Sequence, residues 1–398
     1  MKKAILNKEI QEFISLNLNS DISKLLLKGI PFNTIDQKTV IEQIEAKKRC
    51  QKKLPTWFNC DNIYYPNKLN IEQTSSEVTA KHKAILVSGK KLIDLTGGFG
   101  VDIYHFAKKL DSVIHCEINE SLSQIVKHNF NVLNIKNAKC LNEDGTKVLE
   151  QLNENFDWIY LDPSRRDALK KKVFLLADCE PNIKEHRDLL FKYTNNVMIK
   201  TSPLLDLTAT LNDLHNVKEI HVVANNNEVK ELLWILEKNY SAQVKIITSN
   251  LKNNSTQSFN YIFNEEQRAI ATYSKPLKYL YEPNSAVLKS GGFNSISTLL
   301  KIDKLHQHTH LYTSDVLMEF PGRQFKIVNI IPYNKKLFKK ENISKANITI
   351  RNFPISVSEI RKKFNVKDGG NTYLFFTTDL LNKKIIILCS KVQSEYMK

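Results

Sequence analysis

A glycine-rich turn between an acidic strand end and a helix is the clearest candidate for a binding site. The run Leu92–Asp102 reads Leu-Ile-Asp-Leu-Thr-Gly-Gly-Phe-Gly-Val-Asp, and its glycines let the backbone approach a ligand where a side chain would block it. The next apolar run ends at Glu117, 23 positions after Asp94, where a carboxylate can accept hydrogen bonds from ribose hydroxyls. The pattern predicts a strand–helix–strand unit that binds a nucleoside-containing cofactor.

The acid at the first strand end indicates the charge of that cofactor. The dinucleotide fingerprint G-x-G-x-x-G lacks its third glycine, because the Gly98–Ile103 segment contains only two. Asp94 would repel a pyrophosphate, whereas it would attract the sulfonium and ammonium groups of S-adenosylmethionine. The turn therefore favours S-adenosylmethionine, with a purely structural turn as the alternative and a dinucleotide-dependent dehydrogenase as the weakest choice.

Later strand ends supply further polar candidates. Asp144 follows the third apolar run, where it could contact the adenine amino group or cap the next helix, and both alternatives stay open. Asp162-Pro163 follows the fourth, where Asp162 would face the methyl group and orient a nucleophilic amine. Arg165 and Arg166 could clamp a phosphate or carboxylate, or form a solvated arginine pair. Lys200, after the fifth run, could line the cleft or pair with Asp162.

The elements that must position these residues alternate between short apolar runs and amphipathic stretches. The predicted strands are Lys91–Leu95, Ser112–Cys116, Ala138–Leu141, Phe156–Leu161, Asn196–Lys200, Glu219–Val223, Gln243–Thr248 and Asn260–Phe263. The predicted helices are Val101–Leu110, Glu120–Leu133, Thr146–Asn153, Lys184–Lys192, Leu204–Leu214 and Glu228–Lys238. This alternation predicts an α/β fold with a parallel, doubly wound sheet that binds its ligand at the carboxyl ends of the strands.

The flanking segments have different patterns. Residues 1 to about 70 have helical spacing of apolar side chains, and Thr74-Ser75-Ser76-Glu77 offers caps for a helix that runs to about Val87. Beyond the Pro321-Gly322-Arg323 turn we predict a small α+β domain. Its predicted elements are the strands Phe325–Ile331, Ala346–Arg351, Tyr373–Thr377 and Lys384–Cys389 and the helix Val357–Phe364.

Positive charge is concentrated at the carboxyl-terminal end. The 398 residues carry a formal net charge of +16, and Pro321–Lys398 alone has 16 Lys and Arg against 5 Asp and Glu. This asymmetry is typical of a nucleic-acid-binding end, although a basic soluble surface is the alternative. Six scattered cysteines without a CxxC pair argue against a zinc site or a disulfide scaffold. With no long apolar span or signal peptide, we expect a cytoplasmic protein with no membrane or metal partner.

The run from Lys91 to about Phe263 resembles a class I S-adenosylmethionine-dependent methyltransferase, and its turn resembles those of RNA guanine-N2 methyltransferases. The wider chain is similar to a group of Bacteroidetes methyltransferases that end in a THUMP-like domain. The matching segments are Glu72–Ala80, Ile93–Asp102, Asp162–Asp167, His310–Ser314, Phe320–Arg323 and Arg351–Pro354. The resemblance implies an N-terminal helical segment (1–78), a Rossmann-like methyltransferase domain (79–274), a small ferredoxin-like domain (275–322) and an α+β THUMP-like RNA-binding domain (323–398).

The resemblance also implies functional residues and a partner. The implied cofactor pocket consists of Asp94, Thr96, Gly98, Gly100, Glu117 and Asp144, with Ser75, Ser76 and Glu77 near the methionine end. The catalytic group that we predict from the fourth strand end is Asp162, Pro163, Arg165 and Arg166. The THUMP-like end implies contact with structured RNA, such as tRNA or rRNA, and a guanine amino group is one possible target.

The catalytic motif departs from the related pattern. Amino-methylating enzymes commonly carry Asp/Asn-Pro-Pro-Tyr/Phe, whereas Asp162-Pro163 is followed by Ser164, Arg165 and Arg166. Base stacking would then come from elsewhere, such as Tyr160, or the target is not a purine amino group. Two alternatives to an RNA methyltransferase therefore stay open. One is an RNA-binding protein with an idle or cofactor-sensing methyltransferase fold, and the other is a methyltransferase for a non-RNA substrate.

Overall fold

The computed structural model describes residues 1–165, 176, 179–253 and 255–392. The chain divides into two compact units. The first comprises Met1–Lys218 and Glu231–Ser241, and the second comprises Glu219–Lys230 and Ala242–Lys398. In the described ranges, no helix is both long enough and apolar enough to span a bilayer.

The described helices begin with a 3₁₀ helix at Lys3–Leu6. The α-helices are α1 (Lys8–Leu16), α2 (Ile22–Lys28), α3 (Gln37–Lys53), α4 (Pro55–Phe58), α5 (Lys68–Gln73), α6 (Glu77–Leu86), α7 (Val101–Ala107), α8 (Glu120–Val132), α9 (Gly145–Leu152), α10 (Ile183–Tyr193), α11 (Leu207–Asp213), α12 (Phe263–Glu266), α13 (Ser285–Ser290), α14 (Phe293–Leu300), α15 (Lys335–Lys339) and α16 (Val357–Phe364).

The described strands follow the same chain order. They are β1 (Lys91–Asp94), β2 (Ser112–Cys116), β3 (Ala138–Leu141), β4 (Trp158–Leu161), β5 (Ser164–Arg165), β6 (Cys179–Glu180), β7 (Asn196–Thr201), β8 (Val217–Asn225), β9 (Glu228–Glu237), β10 (Lys245–Lys252), β11 (Ser255–Ile262), β12 (Tyr279–Pro283), β13 (Asp303–His306), β14 (Thr309–Ser314), β15 (Gly322–Pro332), β16 (Lys345–Arg351), β17 (Lys367–Thr378) and β18 (Lys384–Lys391).

Five of the N-terminal α-helices, α1, α2, α3, α5 and α6, begin after residues whose side chains satisfy free amide groups of the first turn. These capping residues are Asn7, Asp21, Asp36, Asn67 and Ser76. The helices pack on the same hydrophobic core as the first strands. The ring centres of Trp57 on α4 and Tyr104 on α7 lie 4.6 Å apart. The helical segment and the start of the sheet therefore share one core within the first unit.

The sheet of the first unit positions the predicted site. Its strands lie in the order β9-β7-β4-β1-β2-β3. The neighbours from β7 to β3 run parallel, whereas β9 runs antiparallel to β7. The chain crosses from β3 to β4 on the other side of β1, so the strand order reverses between β1 and β4. This reversal leaves a crevice at the carboxyl ends of these two strands, as the sequence predicted for a Rossmann-like α/β fold.

The helix predicted at Glu228–Lys238 is wrong, because this segment forms β9. Its Leu, Glu and Lys residues are common in helices, but Leu232–Leu236 is a continuous apolar run that is buried throughout. Asn226 and Asn227 both have positive φ angles and form the short connection from β8. Burial on both faces of the sheet therefore overrides the helical composition of the segment.

The second unit contains a seven-stranded sheet in the order β13-β14-β12-β15-β18-β17-β16. All neighbouring strands are antiparallel except β16 and β17, and α15 and α16 contact each other through the rings of Phe338 and Phe364. Buried Glu282 on β12 accepts hydrogen bonds from Arg323 and from Arg351, the latter at 2.6 Å. Both arginines belong to segments that carry the family resemblance, and here they join strands of one sheet.

Candidate functional site

The glycine-rich turn after β1 has an open side and a packed side. Gly98 and Gly100 have φ angles of 55° and 75°, in the left-handed region that favours glycine. A Cβ atom on Gly100 would lie 2.8 Å from Val126, whereas one on Gly98 would meet nothing closer than 3.8 Å. The Gly98 amide donates a 2.9 Å hydrogen bond to Glu117 Oε2. The turn thus packs on the protein at Gly100 and faces free space at Gly98, beside Glu117.

Thr96 links the ends of β1 and β4. Its amide donates to Asp94 Oδ1 at 2.9 Å, and its hydroxyl donates to the same oxygen at 3.3 Å. The Asp162 amide in turn donates to Thr96 Oγ1 at 2.6 Å. Three of the predicted site residues therefore meet in one hydrogen-bonded group at the crevice between the two strands.

Two acids at this crevice, buried Asp94 and half-buried Glu117, have no basic partner among the described residues. Asp94 is 1% exposed, and burial raises its pKa well above the usual range, with the charges of Asp102 and Asp162 adding to the effect. Burial also raises the pKa of Glu117. Within the described part of the chain, neither carboxylate forms a salt bridge. A bound cation would supply the counter-charge that the protein leaves out, so the residues present fit a cationic nucleoside cofactor.

Asp162 lies at the mouth of the crevice and forms an ion pair with Lys200, the next-to-last residue of β7. This pairing was one of the two roles predicted for Lys200. Pro163 follows and is half-buried, and β5 begins at Ser164. The backbone of Arg165 pairs with Cys179, whereas Arg166 lies outside the described residues.

A buried charged network beneath the turn was missed by the sequence analysis. Lys83 on α6 is fully buried, and its ammonium donates to both carboxylate oxygens of Glu231 at 2.7 and 2.8 Å. The same ammonium lies 3.2 Å from Asp102 Oδ1 and donates to Ser75 Oγ at 3.1 Å. Lys83 and Glu231 are 148 positions apart, and Glu231 lies in the segment predicted as a helix. No local sequence signal therefore connects them.

The predicted residues of the 75–77 segment face different partners. Ser75 is buried and donates to Asp102 Oδ2 at 2.8 Å. Ser76 caps α6 through the Thr79 amide. Glu77 is buried and accepts hydrogen bonds from the amide and hydroxyl of Thr56 at 2.5 and 2.9 Å. Only Ser75 thus joins the network under the turn, while Glu77 ties α6 to α4.

Two other residues have structural partners. Asp144 accepts a 2.8 Å hydrogen bond from the Thr146 amide and so caps α9, which is one of the two roles left open for it. Tyr160, which was suggested as a base-stacking ring, is 1% exposed and donates to Asp102 Oδ2 at 2.9 Å. The stacking role predicted for Tyr160 is wrong, because its ring is packed in the core against Phe106.

The comparisons with known proteins divide the chain into matching segments. Residues 66–210 match the family described as "Conserved hypothetical protein 95", 279–321 match a ferredoxin-like domain and 322–391 match a THUMP domain-like family. The crystal structure of a "putative methyltransferase" from Porphyromonas gingivalis W83 is 34% identical, with a TM-score of 0.89. The match covers 98% of this chain and 99% of that one. This chain belongs to that methyltransferase family.

More distant structures match only part of this methyltransferase. An rRNA methylase from Streptococcus thermophilus is 13% identical over 40% of this chain and 93% of its own, with a TM-score of 0.30. A Pyrococcus abyssi tRNA (uracil-54, C5)-methyltransferase in complex with S-adenosyl-L-homocysteine is 16% identical, with a TM-score of 0.31. That match covers 41% of this chain and 38% of the other. No curated protein matches the sequence.

Proposed function

We propose that this methyltransferase uses S-adenosylmethionine and acts on RNA. The observation that carries the proposal is a pair of carboxyl groups, buried Asp94 and half-buried Glu117, beside an open glycine turn and without a basic partner in the described residues. A phosphate-bearing cofactor would meet repulsion there, whereas a cationic nucleoside would be stabilised. S-adenosylmethionine, when bound, supplies a methyl group on a positively charged sulfur.

The cofactor assignment uses residues of the turn and of the strand ends. Asp94 and Glu117 provide the charge, Gly98 and Gly100 shape the turn, and Thr96 fixes the Asp94 carboxyl group. Ser75, through Asp102, supports the turn from below. For Ser76, Glu77 and Asp144, a role at the cofactor stays a prediction, because their observed hydrogen bonds are to helix ends and to Thr56.

The methyl-transfer assignment centres on Asp162. Its carboxylate lies where β4 ends and would accept a hydrogen bond from the nucleophilic group, which orients the attacking lone pair. S-adenosylmethionine, which Asp94 and Glu117 would hold, would supply the methyl group to this nucleophile. Pro163 stiffens the turn that follows, and Arg165 and Arg166 remain candidates for holding substrate phosphate.

The RNA assignment rests on charge in the second unit. The helices α15 and α16 present exposed lysines, namely Lys335, Lys336, Lys339, Lys340, Lys362 and Lys363. Lys363 also lies 4.4 Å from the centre of the Tyr333 ring. Clustered cations near an aromatic side chain suit the phosphates and bases of RNA, so this surface supports the predicted RNA-binding role of the 323–398 domain.

One observation favours a second candidate function. Lys200 already occupies one oxygen of Asp162, and no aromatic residue follows Pro163 in the Asp-Pro-Ser-Arg-Arg segment. An RNA-binding protein that senses the cofactor without methyl transfer would also be compatible with such a site. Binding of S-adenosylmethionine without turnover on any RNA pool would favour this alternative.

The decisive experiment is transfer of label from S-adenosylmethionine to total small RNA from a strain that lacks the protein. Asp94→Ala is expected to abolish cofactor binding and transfer, whereas Asp162→Ala is expected to keep cofactor binding and lose transfer. Label that disappears on nuclease treatment and is absent from both variants would support the proposal. Label that survives nuclease would indicate a non-RNA substrate, and retained transfer by Asp162→Ala would refute its assigned role.

A further inference from the structure

Lys200 is held at the base of the proposed methyl-transfer site. Its side chain is 12% exposed and forms an ion pair with Asp162 Oδ2, whereas the Asp162 side chain is 34% exposed. The Asp162 backbone is fixed separately, through its amide on Thr96 Oγ1. Asp162 is thus anchored at two points, by its backbone amide on Thr96 just after β1 and by its carboxylate on Lys200 near the end of β7.

The charge of Lys200 is stabilised by its surroundings. Burial opposes the charged form, but the carboxylates of Asp162, Asp102 and Glu231 outweigh burial and raise the pKa of Lys200. The other cation of this cluster, Lys83, is bound to Glu231 and Asp102. Among the described residues, Lys200 is therefore the ammonium that pairs with Asp162, and its raised pKa keeps it protonated throughout the physiological pH range.

We propose that Lys200 is a positioning residue that fixes the Asp162 carboxylate for the methyl-accepting group. The ion pair uses Asp162 Oδ2, and in the described residues Asp162 Oδ1 makes no hydrogen bond, so Oδ1 is available to the substrate. Without Lys200, the half-exposed carboxylate could rotate between several rotamers, and its orientation for the nucleophile would be lost. This inference rests on the proposed function, in which Asp162 contacts the nucleophile.

The test is a double-mutant cycle in the same label-transfer assay with total small RNA. Lys200→Met is expected to lower kcat about 100-fold while the Kd for S-adenosylmethionine changes less than about twofold, because only the position of Asp162 is altered. Lys200→Arg is expected to recover most of kcat, since it restores the cation. In an Asp162→Asn background, which keeps an acceptor oxygen but lacks the charge that pairs with Lys200, Lys200→Met should cause at most about a twofold further loss of kcat.

Lys184→Met is the matched control, because Lys184 forms an exposed pair with Asp213 at 2.7 Å and should leave kcat unchanged. A further loss of about 100-fold in kcat when Lys200→Met is added to Asp162→Asn would overturn the inference. Loss of cofactor affinity in parallel with kcat would also overturn it, because Lys200 would then act on the cofactor. Failure of Lys200→Arg to recover activity would indicate that the cation does not hold Asp162.

A crystal structure of Lys200→Met separates this inference from the proposed function. A displaced or multiply oriented Asp162 side chain, with the Thr96 contact to its amide retained, would support the positioning role whether or not RNA is the substrate. An Asp162 side chain in the same position as in the unmodified protein would refute it. Absence of label from every RNA with the unmodified enzyme would refute the RNA assignment, and the crystal structure would still decide the role of Lys200.

Discussion

Replacing Lys83 by methionine should strongly destabilise the first unit. Lys83 is fully buried, and it is bound to both oxygens of Glu231, to Ser75 Oγ and to Asp102. Methionine has a similar length but carries no charge and no donor. The substitution therefore leaves Glu231, itself 2% exposed, as a buried carboxylate without its cation.

The expected magnitude follows from the burial of both partners. Removing one member of a buried ion pair costs about 3–5 kcal/mol, because the remaining charge is left uncompensated. The free energy of unfolding of an ordinary domain is about 5–15 kcal/mol, so the variant should stay folded but with a much smaller free energy of unfolding. Adding Glu231→Gln removes the unpaired charge. We therefore expect the free energy of unfolding of the double variant to be at least about 1 kcal/mol higher than that of Lys83→Met alone.

Urea unfolding followed by tryptophan fluorescence measures this effect in the first unit alone. All three tryptophans, Trp57, Trp158 and Trp234, lie in that unit and are buried. The exposed pair Lys184–Asp213 provides the control, and Lys184→Met should change the free energy of unfolding by less than about 1 kcal/mol.

Two outcomes would refute this reasoning about the buried network. One is a decrease of less than about 1 kcal/mol in the free energy of unfolding of Lys83→Met, because the buried pair would then contribute no more than a surface salt bridge does. The other is a double variant no more stable than Lys83→Met, which would show that the Glu231 charge is not the source of the cost. The loss for Lys83→Met should also be smaller at acidic pH, because Glu231, whose pKa burial already raises, can then take up a proton.

Three further predictions concern the crevice. Asp94→Asn should raise the free energy of unfolding at neutral pH in the absence of cofactor. Because the pKa of Asp94 is raised in the folded state, that state binds a proton more tightly, and the stability of the unmodified protein falls as pH rises, by up to about 1.4 kcal/mol per pH unit. Urea unfolding at several pH values would contradict this if both proteins showed the same slope. Gly97→Ala should lower both the free energy of unfolding and the affinity for S-adenosylmethionine, because the added Cβ would overlap the buried His115 ring. An unchanged free energy of unfolding, together with an unchanged Kd in calorimetric titration, would contradict this. Glu117→Gln should weaken S-adenosylmethionine binding at least about tenfold through loss of its charge while retaining the fold, and an unchanged Kd would remove Glu117 from the cofactor site.

The local features of the candidate site could be predicted because they depend on neighbouring residues. The Lys91–Asp94 strand, the glycine turn and the helix from Val101 occupy adjacent positions, and their residue types fix the backbone there. The helix caps at Ser76 and Asp144 are local for the same reason. The boundaries predicted for the four domains stay predictions.

The misread segment shows where local information fails. In Glu228–Glu237, composition favoured a helix, but the strand pairs antiparallel with β7 over six residue pairs, from Asn196–Glu237 to Thr201–Leu232. The paired residues of β7 lie 31 to 41 positions earlier, and burial between neighbouring strands decides the conformation of the segment. Glu231 was consequently placed on a helix, and its pairing with Lys83 could not be foreseen.

The amino-acid sequence was enough to predict the fold class, the strand ends that carry Asp94, Glu117 and Asp162, and the basic carboxyl-terminal end. These features are set by periodicity, by glycine and by charge, all of which act over short stretches of chain. The partners of the buried side chains, in contrast, depend on the tertiary structure. Glu77 accepts a hydrogen bond from Thr56, buried Tyr160 donates one to Asp102, and Lys83 forms an ion pair with Glu231. A buried polar group must bind a partner, and the packing of distant segments determines which partner lies close enough.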